Sequence, residues 1–238
     1  MSIDIPKDWG KDELTTYIND ARHNLFATYA NLGIFRRFQH IDKVYRTIIE
    51  NISNTKDWFP VFFLLRTHAS YLTAVQLSAS GQIPEAYMVL RGCLENAFYG
   101  FNIYKNPSLT GTWLKRNDDE NWKRLVKNKF QIKAILDSLK GMNKNLGTSA
   151  KELYERTIEY GAHPNPHGIL TLVRQEQQDR FIRFDLAYLQ GNTKPHALCL
   201  KTTAQVGLCC LMIFKVVYKE RFDLLGLSDG IEKLSKGL

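Results

Sequence analysis

Residues 84–104 read PEAYMVLRGCLENAFYGFNIY. At helical spacing, Ala86, Val89, Leu90, Cys93, Leu94, Ala97, Phe98 and Phe101 leave this segment almost no polar side. A helix apolar nearly all round belongs in the middle of a bundle, because every face of it must be covered. Pro84 suits the first turn, where a helix has no use for the missing N–H. Ser80, Gly81 and Gln82 form a tight connection just before it. The apolar segment from Trp58 to Ala79 is therefore expected to lie antiparallel to it. The expected fold class is all-α, a single-domain helical bundle around this central antiparallel hairpin.

Helical periodicity continues outward in both directions. Lys11 to Leu32 and Ile34 to Ile52 each repeat apolar residues every three or four positions. Gly33 between them holds the place of a C′ residue closing the first helix. Asn54 to Asp57 supplies a turn and an N-cap. On the C-terminal side the spacing predicts a short helix from Leu109 to Arg116 and a polar helix from Asp118 to Leu139. A loop from Gly141 to Gly147, a helix from Ser149 to Ala162 and a long helix from Pro195 to Arg221 follow. The stretch from Pro164 to Pro195 is the least regular. No repeat or linker divides the chain, so residues 1–238 read as one domain, with a core bundle over about 11–220.

A hydrophobic share of 44% with 24% charged residues is that of an ordinary globular chain. The formal charge of +8 points towards polyanionic partners. The N-terminus carries no basic segment followed by an apolar one, so no secretory signal is read there. The most apolar run, Val206 to Tyr218, is shorter than a bilayer needs and is interrupted by Lys215. A cytoplasmic location with no membrane partner is expected. Cys93, Cys199, Cys209 and Cys210 sit in apolar helical patterns without a CxxC pair, the signature of buried free thiols and not of a metal site.

Charge stands out in three places. Arg91 and Glu95 lie at i, i+4 on the apolar segment, where such residues are buried only when paired. They read either as a structural pair at a helix contact or as the lining of an internal cleft. Arg66 and His68, on the preceding helix, are in reach of that pair. The second place is RTIEYGAHPNPH, residues 156–167. Arg156, Tyr160 and His163 fall at i, i+4 and i+7 on a shared face, and Pro164 ends the helix beside His163. His163 and His167 do not make a zinc set: Pro164 and Pro166 exclude helix between them, and no Glu or Cys completes the ligands. The third is WKRLVKNKFQIK, residues 122–133, which groups Lys123, Arg124 and Lys127 on one side as a candidate RNA-binding strip.

An arginine followed after six residues by a histidine at a helix end in an all-α bundle, here Arg156 and His163, resembles the HEPN superfamily. The resemblance implies a metal-independent ribonuclease or toxin/anti-phage component that needs no cofactor. His163 would be the base for a 2′-hydroxyl and Arg156 the cation on the phosphate, with Tyr160 or Glu95, the latter paired to Arg91, orienting the histidine. It further implies a homodimer that joins two such motifs, and an antitoxin or other partner protein. Ser80-Gly81 to Glu85-Ala86, Leu90-Arg91 with Glu95, and Tyr160 to Pro164 also resemble a family of bacterial helical proteins with no established activity. The alternative expectation is a catalytically inactive helical module binding RNA, a nucleotide or a partner protein. A third is a small-molecule enzyme using a cleft at Arg91 and Glu95.

Overall fold

Helix dominates the computed structural model, which describes residues 4–236 apart from Leu32, 53–57, 163–165, Thr171 and 179–180. The chain runs α1 (Glu13–Asn31), α2 (Ile34–Asn51), α3 (Pro60–Ala79), α4 (Ile83–Lys105), α5 (Leu109–Leu114), α6 (Glu120–Lys129), α7 (Ile132–Met142) and α8 (Lys144–Thr157). It continues through α9 (Pro166–Leu170), β1 (Val173–Gln178), β2 (Phe181–Leu186), α10 (Lys194–Val217), α11 (Lys219–Leu224) and α12 (Leu227–Ser235). The all-α expectation holds, with one antiparallel hairpin added.

The expected α3–α4 hairpin is the centre of the bundle. Its turn places Gly81 at φ +82, and a Cβ there would stand 2.6 Å from the Gln190 carbonyl oxygen. Left-handed backbone and close approach both require glycine. Pro84 lies in the first turn of α4, and Leu90, Cys93, Leu94, Ala97 and Phe98 are fully buried. α10 packs across both helices of the hairpin. Its Gly207 carbonyl accepts from the Tyr45 hydroxyl at 3.0 Å, and its Cys210 sulfur lies 3.9 Å from that of Cys93. All four cysteines are buried and free. α10 is long and apolar enough to cross a bilayer by length and composition, and 72% of its most apolar window is buried inside the bundle.

Several local expectations are overturned. Gly33 is right-handed, at φ −56, and leads into α2 instead of closing α1 in a left-handed cap. The polar helix expected over Asp118 to Leu139 is two helices. Phe130 buries its ring beside Tyr99, with centroids 4.8 Å apart, and leaves helical geometry at φ −111, ψ 36. The loop expected over Gly141 to Gly147 shrinks to Asn143, whose side chain caps α8 by accepting from Leu146 N at 3.0 Å. Gly147 lets α8 sit directly on the backbone of Lys140. Asn54 to Asp57 lie outside the described residues, and Phe59, without a side-chain cap bond, precedes α3.

The helix expected to run to Ala162 stops at Thr157 and widens into a π turn over Ile158–Ala162. Such a widening inserts a residue and shifts the phase of the side chains after it. Gly161 sits so close to Pro84 that any side chain there would run into the α4 backbone. Pro166 opens α9 instead of excluding helix, since a first-turn proline costs no hydrogen bond. The stretch expected to be irregular holds the hairpin, with pairing from Val173↔Leu186 to Gln178↔Phe181.

Candidate functional site

Asp119 starts the site. Its carboxylate accepts from Asn121 N at 2.8 Å and Trp122 N at 2.9 Å, which caps α6 and supplies negative charge at the helix's positive end. α6 then has one apolar stripe, with Val126 buried. Phe130 follows it into the core, and the Asn102 amide ties the helix end to α4 by donating to the Lys129 carbonyl at 3.1 Å. With that stripe turned inward, Lys123, Arg124 and Lys127 are exposed.

Between α6 and α4 lies a cleft of about 740 Å³, bordered by Glu95, Asn96, Tyr99, Arg116, Glu120, Lys123, Arg124 and Lys127. The fold thus joins two features that are far apart in sequence, the basic strip on α6 and one member of the charged pair. Four cations face two carboxylates, and both carboxylates are engaged. Glu120 pairs with Lys123 at 3.1 Å and Glu95 with Arg91 at 2.8 Å. Among the described residues, no carboxylate pairs with Arg116, Arg124 or Lys127, so the cleft carries uncompensated positive charge.

The Arg91–Glu95 pair is present as expected, but it sits at the rim and not in the interior, with side chains 26% and 36% exposed. Tyr154 on α8 completes it, donating its hydroxyl to the same Glu95 Oε1 at 2.9 Å, and the Arg91 guanidinium lies 5.6 Å from its ring centroid. Partial burial works against the Arg91 charge, but the bond to Glu95, the Glu95 charge and Tyr154 together outweigh it and hold the guanidinium protonated. Burial, then the Glu95 charge, raises the pKa of Tyr154 and of Tyr99, so both stay neutral donors. Arg66 and His68 are not part of this group. Arg66 is exposed, while His68 bonds Asp42 Oδ1 at 2.7 Å and stacks on Tyr45.

Arg156 and Tyr160 are elsewhere. Residues two apart on a helix point to opposite sides, so Tyr154 faces α4 while Arg156 faces α10. Arg156 donates from one nitrogen to Gln205 Oε1 at 2.8 Å and Thr202 Oγ1 at 3.2 Å. It lines a separate cavity of about 240 Å³ with Glu152, Leu153, Cys209 and Met212. Tyr160, inside the π turn, stacks on Tyr87 with centroids 5.4 Å apart. The π turn changes the spacing after Thr157, and Arg156 and Tyr160 both neighbour Tyr87: Tyr160 stacks on its ring and the Arg156 charge acts on its hydroxyl. His163 lies outside the described residues. The α4–α6 cleft offers cations, amides and neutral hydroxyls, the equipment of anion binding. Among the described residues, no group of three or more His, Cys, Asp or Glu stands together to hold a metal.

Sequence reading missed Tyr154, Asn96, Tyr99 and Arg116. Asn96 and Tyr99 are only one and four positions beyond Glu95, so the rim charge was the signal; the contribution of α8 needed the tertiary fold. No protein-family model, curated protein or solved structure matches this chain.

Proposed function

We propose that the protein is a helical RNA-binding module that takes the phosphate backbone of a single strand into the α4–α6 cleft. The observation that supports this reading is the cleft's unbalanced charge: Glu120 is paired with Lys123 and Glu95 with Arg91, and among the described residues no carboxylate pairs with Arg116, Arg124 or Lys127. Phosphate neutralisation by such side chains releases counterions and gives salt-dependent affinity. Asn96 and the half-buried Tyr99 on the α4 wall supply an amide and an aromatic edge for bases.

The test is anisotropy titration of labelled single-stranded RNA across a salt series. Lys123→Glu/Lys127→Glu should abolish binding. Lys201→Glu/Lys236→Glu, the same change of charge on exposed positions elsewhere, should leave most of it. Binding that ignores salt, or falls equally in both variants, would reject the cleft.

A second reading is the metal-independent ribonuclease at Arg156 and His163. It is favoured by one observation: among the described residues the Arg156 guanidinium bonds only neutral partners, Thr202 and Gln205, and its charge faces the adjoining cavity. RNA cleavage in EDTA by wild type, lost in His163→Ala of equal thermal stability, would support it. Absence of cleavage on varied RNAs leaves the binding module.

A further inference from the structure

The hairpin is built unlike the rest of the molecule. β2 carries Ile182, Phe184 and Leu186 on one face, and all three are exposed, at 46%, 65% and 47%. Beyond the hairpin itself, the short α9 packs on β1. A lone two-stranded ribbon is marginal in water and gains independent stability from a third strand. Exposed edge strands in natural proteins are commonly blunted with lysine, proline or a bulge. β2, FIRFDL, has none of these along its edge.

The hydrogen-bond phase of that edge follows from one contact. Ala187 N–H donates to the Leu172 carbonyl at 2.8 Å. Bonded positions alternate along an antiparallel ladder, so Asp185, Arg183 and Phe181 bond inward to β1. The N–H and C=O groups of Ile182, Phe184 and Leu186 then point outward, where no strand pairs among the described residues.

We infer that β2 is a homodimer surface: two copies pair antiparallel along this edge, about a two-fold axis at Phe184, to make a four-stranded sheet. The outward phase makes Phe184 bond with Phe184 of the second copy and Ile182 with Leu186, so every outward group finds a partner. The same register sets Arg183 opposite Asp185 of the second copy and Asp185 opposite its Arg183. A two-fold contact must be complementary to itself, and an Arg and an Asp flanking the axis at equal distance satisfy that condition. Within one chain the two already pair at 2.9 Å, and Arg183 also stands opposite Glu176. Two copies therefore extend an alternating charge ladder on one face and join the Ile-Phe-Leu rows on the other. This surface shares no residue with the α4–α6 cleft.

Sedimentation and engineered cross-linking test the pairing. Phe184→Cys is expected to form an intermolecular disulfide on mild oxidation, because Cα atoms of a bonded antiparallel pair are about 5.5 Å apart, within disulfide range. The native cysteines are buried and do not compete. Gln175→Cys, across the ladder on β1, should stay monomeric under the same oxidation. In sedimentation equilibrium Arg183→Asp should weaken the dimer about tenfold by facing like charges. Mixing Arg183→Asp chains with Asp185→Arg chains should restore pairing as a heterodimer, since each altered residue then meets an opposite charge across the two-fold contact. A chain that stays monomeric at high concentration, or cross-links equally from Gln175→Cys, overturns the inference. So does a mixture of the two charge variants that pairs no better than either alone.

Discussion

Tyr154 donates its hydroxyl to Glu95 Oε1 at 2.9 Å, which ties α8 to the wall of the basic cleft. The same oxygen takes the Arg91 bond at 2.8 Å. This pair has two opposed effects. It helps to hold two helices together, and it places a carboxylate where a phosphate is proposed to bind. Glu95→Gln separates them. Loss of a part-exposed ion pair should cost less than about 1 kcal/mol of stability, since such pairs are screened by water. Removing one negative charge from the rim should tighten RNA binding by about two- to fivefold at low salt, an advantage that fades as salt rises. Denaturant unfolding and anisotropy on the same samples check both signs. Weaker RNA binding in Glu95→Gln would mean that the carboxylate contacts the ligand as an acceptor.

Arg156 separates the binding and cleavage readings. Its bonds to Thr202 and Gln205 join α8 to α10. A hydrogen bond involving a charged group contributes about 1.5–3 kcal/mol, so Arg156→Ala should lower the unfolding free energy by about that amount. Arg156→Lys should recover only part of it, because a point charge cannot reproduce the guanidinium fork. RNA affinity at the α4–α6 cleft, which Arg156 does not line, should change by less than about twofold, well under the tenfold that 1.4 kcal/mol makes. A large affinity loss in a variant that folds normally would move the RNA site to the Arg156 cavity.

How much of this was legible in the sequence follows from how local each signal is. α4 could be read from its own residues, because an apolar surface on all sides has one solution in a bundle. The Arg91–Glu95 pair was equally local, an i, i+4 spacing on one helix. The break at Phe130 was not legible, since what pulls that residue out of α6 is a ring on α4. Nor was the π turn, whose cause is the passage of Gly161 against Pro84. The hairpin was hidden by its composition: Val173 to Gln178 reads VRQEQQ, which lacks the apolar alternation that marks a half-buried strand. In the site, Lys123, Arg124 and Lys127 were visible as a strip. That they face Glu95 across a cleft depends on how α6 docks.

Gly207 offers a test of packing against propensity. A Cβ on it would stand 2.5 Å from the ring of Tyr71, which is fully buried, in the middle of α10. By helix propensity alone, Gly207→Ala should stabilise by about 1 kcal/mol. Overpacking a closed core costs about 1–3 kcal/mol, because neither ring nor helix has room to move. We expect net destabilisation, seen as a lower thermal midpoint. Gly92→Ala, on α4 where a Cβ meets nothing within 4 Å, should move it the other way. A rise in the Gly207→Ala midpoint would show that the Tyr71 ring yields.

His196 gives the bundle a pH dependence whose sign follows from its partners. Nε2 bonds the Ser78 carbonyl at 2.9 Å, so it carries the proton, and Nδ1 accepts from the Asn192 N–H at 3.2 Å. Protonating Nδ1 would lose that second bond and bury a charge. Burial accordingly holds the pKa below the ordinary 6.5. The unfolded chain, titrating near 6.5, binds a proton before the folded chain does. His196 thus contributes its stability in full above the unfolded value. That contribution is lost as pH falls from about 6.5 towards the lowered folded value. Urea midpoints should therefore decrease between about pH 7.5 and 5.5, above the range where carboxylates titrate. Glutamine presents both a donor and an acceptor without titrating, so His196→Gln should flatten the His196 share of that decrease. A pH profile unchanged by His196→Gln would mean that the imidazole accepts its proton without cost and that the Asn192 bond contributes nothing to holding the neutral form.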